Sequence, residues 1–351
     1  MKPLPQVIND PVYKERKYNA LDRFFISLIN DKRDLPFIYL TIKISLTLLP
    51  LGILLYMPFS FMNGWVFAVL AVTYQFTNNF VFKGPFGLML HCTSHRKWFK
   101  RKYDVFNHYL PWIVGPFFGQ TPESYYSHHI GMHHPENNLE EDESSTMYYQ
   151  RDSFRSFMSY FANFLFLGIY EVSLYFHKRR RRKLMKKLIR GEFIFYAMVV
   201  GLCFVNWKAT LVVFIIPFLL SRFVMMLGNW TQHAFIDPEH PDNLYRSSIT
   251  CINVKYNHKC WNDGYHISHH IKPAMHWTEH PHHFLTNLDE YAKQKAIIFD
   301  GFDFLKVFYY LMRKKYDVLA TRVVNLNDNF KSDEEIIELM KSRTKRFKKA
   351  V

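Results

Sequence analysis

Residues 127–134 read SHHIGMHH, with four histidines in eight positions. Three more stretches are similar: HCTSH at 91–95, NWTQH at 229–233 and HISHH at 266–270. Their histidines recur at offsets of three to five residues, which on a helix places imidazoles on one face. Because neutral imidazole is a common ligand of iron, zinc and copper, this pattern indicates a metal site.

Ten of the eighteen histidines belong to these four stretches. Zinc usually takes three or four protein ligands, and the histidines here come without paired cysteines, so two metal ions fit better than one. A single histidine is more often a hydrogen-bonded core or surface residue. Ten of them would rarely find enough polar partners without a metal.

Apolar segments separate the histidine stretches and predict membrane helices. The segments 37–57 and 61–82 are joined by a short break at 58–60, and 193–207 and 209–227 are joined by Asn206, Trp207 and Lys208. A membrane core of roughly 30 Å requires about 20 helical residues, so most of these segments are long enough to span it. The sequence therefore predicts two transmembrane hairpins.

Basic residues predict the side of the membrane on which the histidines lie. HCTSH is followed directly by a basic run at 96–102, which the positive-inside rule assigns to the cytosol. The basic run 178–187 and the net charge of +15 also favour contact with anionic headgroups. The short segment 109–118 is predicted to lie in the interface, and 153–176 to be an interfacial helix or a broken membrane segment.

The remaining segments are predicted to be cytosolic. Residues 1–34 are polar and basic, and the acidic loop 136–145 is expected to be solvated, with docking of a donor protein as the alternative. Amphipathic helices are predicted near 291–315 and 333–347. The predicted fold is an all-α integral membrane protein with about four transmembrane helices in two hairpins, interfacial helices and a cytosolic helical cap bearing the histidines.

The four histidine stretches, in this order and separated by two hydrophobic hairpins, resemble the membrane fatty acid desaturase superfamily. HCTSH fits the HxxxH box of that superfamily, HIGMHH its HxxxHH box and HISHH its HxxHH box, while NWTQH resembles its Asn-xxx-His element. The resemblance covers roughly 35–285. It implies a catalytic membrane domain over 35–285, between the N-terminal segment 1–34 and a C-terminal helical tail at 286–351.

The resemblance also implies the ligands of a non-haem diiron centre. The second box is preceded by an additional histidine, His128, so the sequence leaves open whether His128 or His129 is the ligand. Asn229 is implied to approach a metal through water, and Asp263 and Glu279 are predicted to orient ring nitrogens. The implied iron ligands are His91, His95, His129, His133, His134, His233, His266, His269 and His270.

The implied activity is that of an O2-dependent acyl desaturase in lipid metabolism, acting on an acyl-lipid or acyl-CoA. It needs two iron ions, O2 as co-substrate and electrons from a separate b-type cytochrome or ferredoxin with its reductase, because no fused haem, flavin or nicotinamide motif is found. A diiron lipid hydroxylase of the same superfamily remains open. An alternative of another class is a non-enzymatic multipass metal-binding or transport protein.

The predicted partners are membrane lipids and the electron donor, with no nucleic acid, since the basic residues flank apolar segments instead of alternating with aromatic residues. The predicted location is the endoplasmic reticulum membrane in a eukaryote or the inner membrane in a bacterium, with the site facing the cytosol. The C-terminal Lys348 and Lys349 resemble a dilysine retrieval signal of the endoplasmic reticulum.

Overall fold

A computed structural model describes residues 1–58 and 63–348 of the chain. It is 66% helical, and the sheet in its described part consists of two strands, so the chain is all-α apart from this small sheet. The predicted break at 58–60 lies partly outside the described residues, and the dilysine pattern lies outside them except for Lys348.

The α-helices are described in chain order. They are α1 Ala20–Leu28, α2 Leu35–Leu54, α3 Gly64–Phe76, α4 Lys83–His95, α5 Ser124–His128, α6 His134–Glu136, α7 Phe154–Lys178, α8 Arg182–Thr210, α9 Ile216–Gln232, α10 Leu244–Ser247, α11 Lys255–Lys259, α12 His266–Ile271, α13 His280–Thr286, α14 Leu288–Lys293, α15 Phe304–Met312, α16 Tyr316–Ala320 and α17 Asp333–Arg343.

Shorter elements connect these helices. The strands are β1 Ile249–Ile252 and β2 Ile297–Asp300. The π-helical turns are Thr77–Phe82, Leu110–Val114, His129–His133 and Leu211–Ile215. The 3-10 turns are Lys32–Asp34, Arg101–His108, Gly115–Phe118 and Trp277–Glu279.

The chain divides into two compact units, each built from separate stretches of sequence. Unit 1 consists of Met1–Tyr13, Gly131–Tyr175 and Val224–Val351, and unit 2 of Lys14–Ile130 and Phe176–Phe223. These boundaries do not follow the predicted division at residues 34 and 285, which stays a prediction.

Among the residues that the structure describes, three helical segments are long and apolar enough to cross a membrane: Lys32–Leu54, Phe154–Lys178 and Arg182–Gln232. The first matches the predicted segment 37–57. The third contains both segments of the predicted second hairpin and is interrupted at Asn206, whose φ of −159° and ψ of 96° are not helical. The Asn206 side chain accepts a hydrogen bond from the backbone N–H of Ala209 (3.1 Å), as an N-cap residue does.

The predicted segment 61–82 is helical from Gly64 onward but is not among these three candidates. Its polar side chains lower its hydropathy and find partners inside unit 2. Gln75 donates a hydrogen bond to the carbonyl of Val212 (2.6 Å), and Tyr74 donates to that of Val213 (3.2 Å). Both acceptors lie in a π-helical turn, where irregular pairing leaves carbonyls free for side-chain donors.

Helix α7 is a continuous helix of 25 residues, so the predicted broken segment at 153–176 is wrong. No proline interrupts it, and its single glycine is tolerated within the helix. The alternative, an interfacial helix, stays a prediction.

The predicted helix at 291–315 is wrong in its middle, where β2 pairs in parallel with β1 and Ile297 lies opposite Ile249. Ile297, Ile298 and Phe299 are all buried, which a strand covered on both faces allows and an amphipathic helix does not. Positive φ angles at Lys295 (47°) and Gly301 (76°) lie between β2 and the helices on either side of it, α14 and α15. The predicted helix at 333–347 agrees with α17.

Unit 2 contains a buried ion pair, and both of its residues belong to the candidate membrane segment Arg182–Gln232. Arg222 donates to Glu192 (2.9 Å), which also accepts a hydrogen bond from the Thr121 hydroxyl (2.6 Å). The side chains of Glu192 and Arg222 are only 4% and 12% exposed. Buried charges of this kind depend strongly on their partners.

We expect Glu192→Ala to lower the free energy of unfolding by about 3–5 kcal/mol, because it removes the carboxylate that neutralises Arg222. Thermal unfolding of the purified chain in detergent measures the change. The matched control is Asp104→Ala, which removes an exposed ion pair with Lys97 and a hydrogen bond from Asn107 and should destabilise the chain far less. Equal effects of the two substitutions would contradict the expectation.

Candidate metal centre

Unit 1 brings four of the predicted ligands into one buried group, the unit 1 histidine group. Each offers one ring nitrogen, and these nitrogens lie within 4.8 Å of one another. The members are His133, His233, His266 and His270.

Three rings of this group are fixed by a hydrogen bond at Nδ1. A neutral imidazole that donates from Nδ1 carries its lone pair on Nε2, so each such bond fixes both the tautomer and the direction of the lone pair. The bonds join His133 to the carboxylate of Asp142 (2.7 Å), His233 to the carbonyl of Ser247 (2.9 Å) and His270 to the side-chain oxygen of Asn137 (2.9 Å).

The Nε2 atoms of the group face one another. His266 Nε2 lies 3.2 Å from His233 Nε2 and 2.9 Å from His270 Nε2. Nitrogens bound to one metal at about 2.1 Å and at angles of 90–110° are about 3.0–3.4 Å apart. The spacing and the donor type therefore fit a bound transition-metal ion.

Burial keeps these imidazoles neutral, as metal binding requires. Burial, with the nearby His133 ring acting in the same direction, lowers the pKa of His233 to about 3. Burial also lowers the pKa of His270 far below its ordinary value, with His266 and His233 acting in the same direction. Both rings are therefore uncharged at neutral pH.

Local structure explains how these histidines meet. His233 directly follows the last residue of α9, while His266 and His270 are four positions apart on α12 and so share one face. The turn before α12 passes through Gly264, where a Cβ would lie 2.3 Å from Asn257 Oδ1 and 2.5 Å from the Cys251 carbonyl oxygen. Only glycine fits that approach.

Asp142 belongs to the acidic loop at 136–145, and its burial corrects the prediction that this loop is solvated throughout. Asp142 is 2% exposed and Asn138 is 1% exposed, whereas Glu141 and Glu143 point outward. Besides His133, Asp142 accepts hydrogen bonds from the backbone N–H and the hydroxyl of Ser144 (2.8 and 2.6 Å). Nothing in the spacing of the sequence distinguishes Asp142, the partner of His133, from the neighbouring glutamates.

The other predicted ligands form smaller groups within each unit. In unit 1, His134 Nε2 lies 3.0 Å from His269 Nε2. In unit 2, His95 Nε2 lies 3.0 Å from His129 Nε2, and the His91 ring centroid is 4.5 Å from that of His129.

His128 lies at the end of α5, and the groups of potential metal ligands include His129 but not His128. Tyr125 stacks on His129, with ring centroids 5.3 Å apart, and fixes that ring. Of the two histidines that begin the second box, His129 is therefore the one that lies beside His91 and His95.

The remaining predicted site residues occupy other positions. The Asn229 amide donates to the Ser144 carbonyl (3.0 Å) and to the Tyr160 hydroxyl (2.7 Å). Asp263 accepts hydrogen bonds from Tyr256 (2.6 Å) and Gln232 (3.3 Å). Glu279 is exposed on a 3-10 turn. The roles predicted for these three residues stay predictions.

A comparison with protein-family models matches the fatty acid desaturase family over residues 63–302, about two thirds of the chain. The chain belongs to the fatty acid desaturase family. Its members are membrane-bound oxidoreductases of the desaturase and hydroxylase type that act on lipids and contain non-haem diiron centres. Comparisons with curated proteins and with solved structures gave no match.

The match confirms the predicted superfamily, and it covers all four histidine stretches of this desaturase-family chain. The unit 1 histidine group suits the metal that the family requires, because its donors are neutral nitrogens with fixed lone pairs.

We expect Asp142→Asn to weaken metal binding about 10- to 100-fold, because the amide supports the His133 ring less strongly than a carboxylate does. Metal content after dialysis against graded chelator concentrations measures the loss. The matched control is Glu143→Gln, the same loss of charge at an exposed position of the same loop. If Asp142→Asn retains metal like Glu143→Gln, Asp142 does not support the site.

Proposed function

We propose that this chain is a membrane-bound diiron enzyme that uses O2 to introduce a double bond into the acyl chain of a lipid or acyl-CoA. The observation that carries the proposal is the unit 1 histidine group. It consists of four buried imidazoles, and a hydrogen bond at Nδ1 orients three of them. All nine implied histidines are proposed as ligands of the two ions.

The proposed topology follows from distances within the units. In unit 1 the His133 and His233 ring centroids are 5.5 Å apart, which supports an even number of membrane crossings in the chain between them. The segment Arg182–Gln232 has 51 residues, about 76 Å of helix, enough for two crossings with a turn at Asn206. Helix α7 is then left to lie in the membrane interface.

The first hairpin is proposed from the same reasoning. In unit 2, His95 and His129 lie side by side, so 109–118 does not cross the membrane between them. α2 and the helical run that begins at Gly64 supply two crossings, and the two arms of Arg182–Gln232 supply two more. The basic runs at 96–102 and 178–187 support a cytosolic location for the histidines.

The chemistry requires an oxidant because an unactivated methylene offers no group for acid or base catalysis. A diiron centre, when bound, supplies the oxidising power for removing hydrogen from such a carbon. The protein's own contribution is to orient the ligand rings: Asp142 fixes His133, Asn137 fixes His270, and the Ser247 carbonyl fixes His233. Burial of these rings limits the access of water to the centre.

Electrons are proposed to come from a separate donor, a b-type cytochrome or a ferredoxin with its reductase, and the endoplasmic reticulum is the proposed membrane in a eukaryote. The absence of a haem, flavin or nicotinamide fingerprint from the sequence supports an external donor.

The test is lipid analysis by mass spectrometry of cells that express the full chain or its His269→Ala variant. We expect the wild-type chain to yield acyl products lighter by two hydrogens and the variant to yield less than about one hundredth as much, because a ligand to the centre is lost. The matched control is His258→Ala, an exposed histidine outside the four stretches, which should retain full activity.

Products heavier by one oxygen would instead identify a hydroxylase. If the wild-type chain forms neither product although it contains two irons per chain, the proposed function is wrong. Loss of product in both variants would show that the assay does not report on the metal ligands.

A further inference from the structure

Helix α15 exposes apolar side chains in unit 1. Its buried face contains Phe304, Val307, Phe308 and Leu311, yet Leu305 and Tyr309, one turn apart, are 63% and 50% exposed. Large apolar side chains that are exposed side by side on a helix mark a surface for a partner or a membrane.

Four exposed cationic side chains belong to the same segment as this apolar pair. The exposed cations are Lys306, Arg313, Lys314 and Lys315, and within the described residues none of the four forms an ion pair with a carboxylate. Asp317 is the exposed acid that follows them, so the segment is basic overall. The Arg313 guanidinium lies 5.3 Å from the centre of the Tyr309 ring and donates to its hydroxyl (3.1 Å).

The same helix packs against α7. The Phe308 ring lies 4.8 Å from that of Phe157, in the first turn of α7, where Phe154 and Met158 are 53% and 37% exposed. Helices α7 and α15, which are in contact within unit 1, therefore both carry exposed apolar side chains. Because α7 is apolar enough to enter a membrane, its neighbour α15 lies near lipid.

We propose that residues 304–315 form an in-plane contact with anionic lipid headgroups. Leu305 and Tyr309 insert into the interface, and the four cations bind phosphates and carboxylates of the headgroups. This proposal rests on the interfacial placement of α7 given above. Tyrosine and arginine together are typical of membrane interfaces, where an apolar ring and a cation meet water and lipid.

The adjoining apolar surface of α7 favours lipid over a protein partner as the occupant. An acidic protein would also attract the cations, but the adjoining surface of α7 at Phe154 and Met158 is apolar and belongs to a candidate membrane segment. Acyl chains bury such a surface together with that of α15. A basic amphipathic segment beside a membrane helix binds more strongly as anionic lipid increases.

The test uses the full chain in lipid nanodiscs and fluorescence quenching by brominated phospholipids, with the signal of the seven native tryptophans subtracted. In the Tyr309→Trp variant, we expect about twofold stronger quenching when phosphatidylserine is present than in phosphatidylcholine alone. Replacing Lys306, Arg313, Lys314 and Lys315 by Gln in the same variant should remove that increase.

The matched control is His240→Trp, which places the probe in an exposed loop between Glu239 and Asp242, where an anionic surface is repelled. Quenching of Tyr309→Trp no stronger than that of this control would overturn the proposal, as would equal quenching in both lipids. Shielding of the probe only by an added redox protein would assign the face to a protein and also overturn it. Fluorescence does not depend on lipid oxidation, so this outcome is separate from the test of the proposed function.

Discussion

Four imidazoles that share one buried volume must each find partners for two ring nitrogens. Burial of an unsatisfied polar group costs about 1–3 kcal/mol, so each ring nitrogen in this core needs a hydrogen-bond partner or a metal ion. Here three Nδ1 atoms are bound by a carboxylate, a backbone carbonyl and an amide oxygen, and the Nε2 atoms face inward. The inward lone pairs repel one another unless a metal ion or protons lie between them.

Much of unit 1 serves to bring those partners together from distant parts of the chain. Arg151, fully buried, donates to the carbonyls of Thr146, Ala234 and Arg343, and so joins the loop of Asp142, the end of α9 and the end of α17. Burial lowers the pKa of Arg151 to about 9, yet the guanidinium remains charged at neutral pH. Its fixed donors align the loop that supports His133 with the end of α9, which His233 follows.

The histidine stretches could be predicted from the sequence because imidazoles at offsets of three to five residues carry a local signal. The break at Asn206 could also be predicted, since Asn-Trp-Lys interrupts a long apolar run. Helix α7 and strand β2 were harder to predict from the sequence. An apolar run does not distinguish a membrane-spanning helix from an interfacial one, or a buried strand from a helix.

The hydrogen-bond partners of the ligand rings could not be predicted from the sequence. Asp142 binds His133 from nine positions away, an offset that corresponds to no regular element, and Ser247 contributes through a carbonyl that every residue has. Asp263 and Glu279 are the carboxylates predicted for this role, whereas the carboxylate bound to His133 is Asp142. Which carboxylate reaches a ring depends on how the loop turns, and local composition does not encode that.

The alternation in the acidic loop has a consequence for its tolerance of length changes. Glu141 and Glu143 face water while Asp142, between them, reaches inward, and Asn138 and Ser144 hold it on either side. Removal or insertion of a single residue between Asn138 and Ser144 would turn a longer glutamate toward the imidazoles and carry the aspartate outward. The spacing of this loop is therefore as strictly determined as the identity of the histidine that it supports.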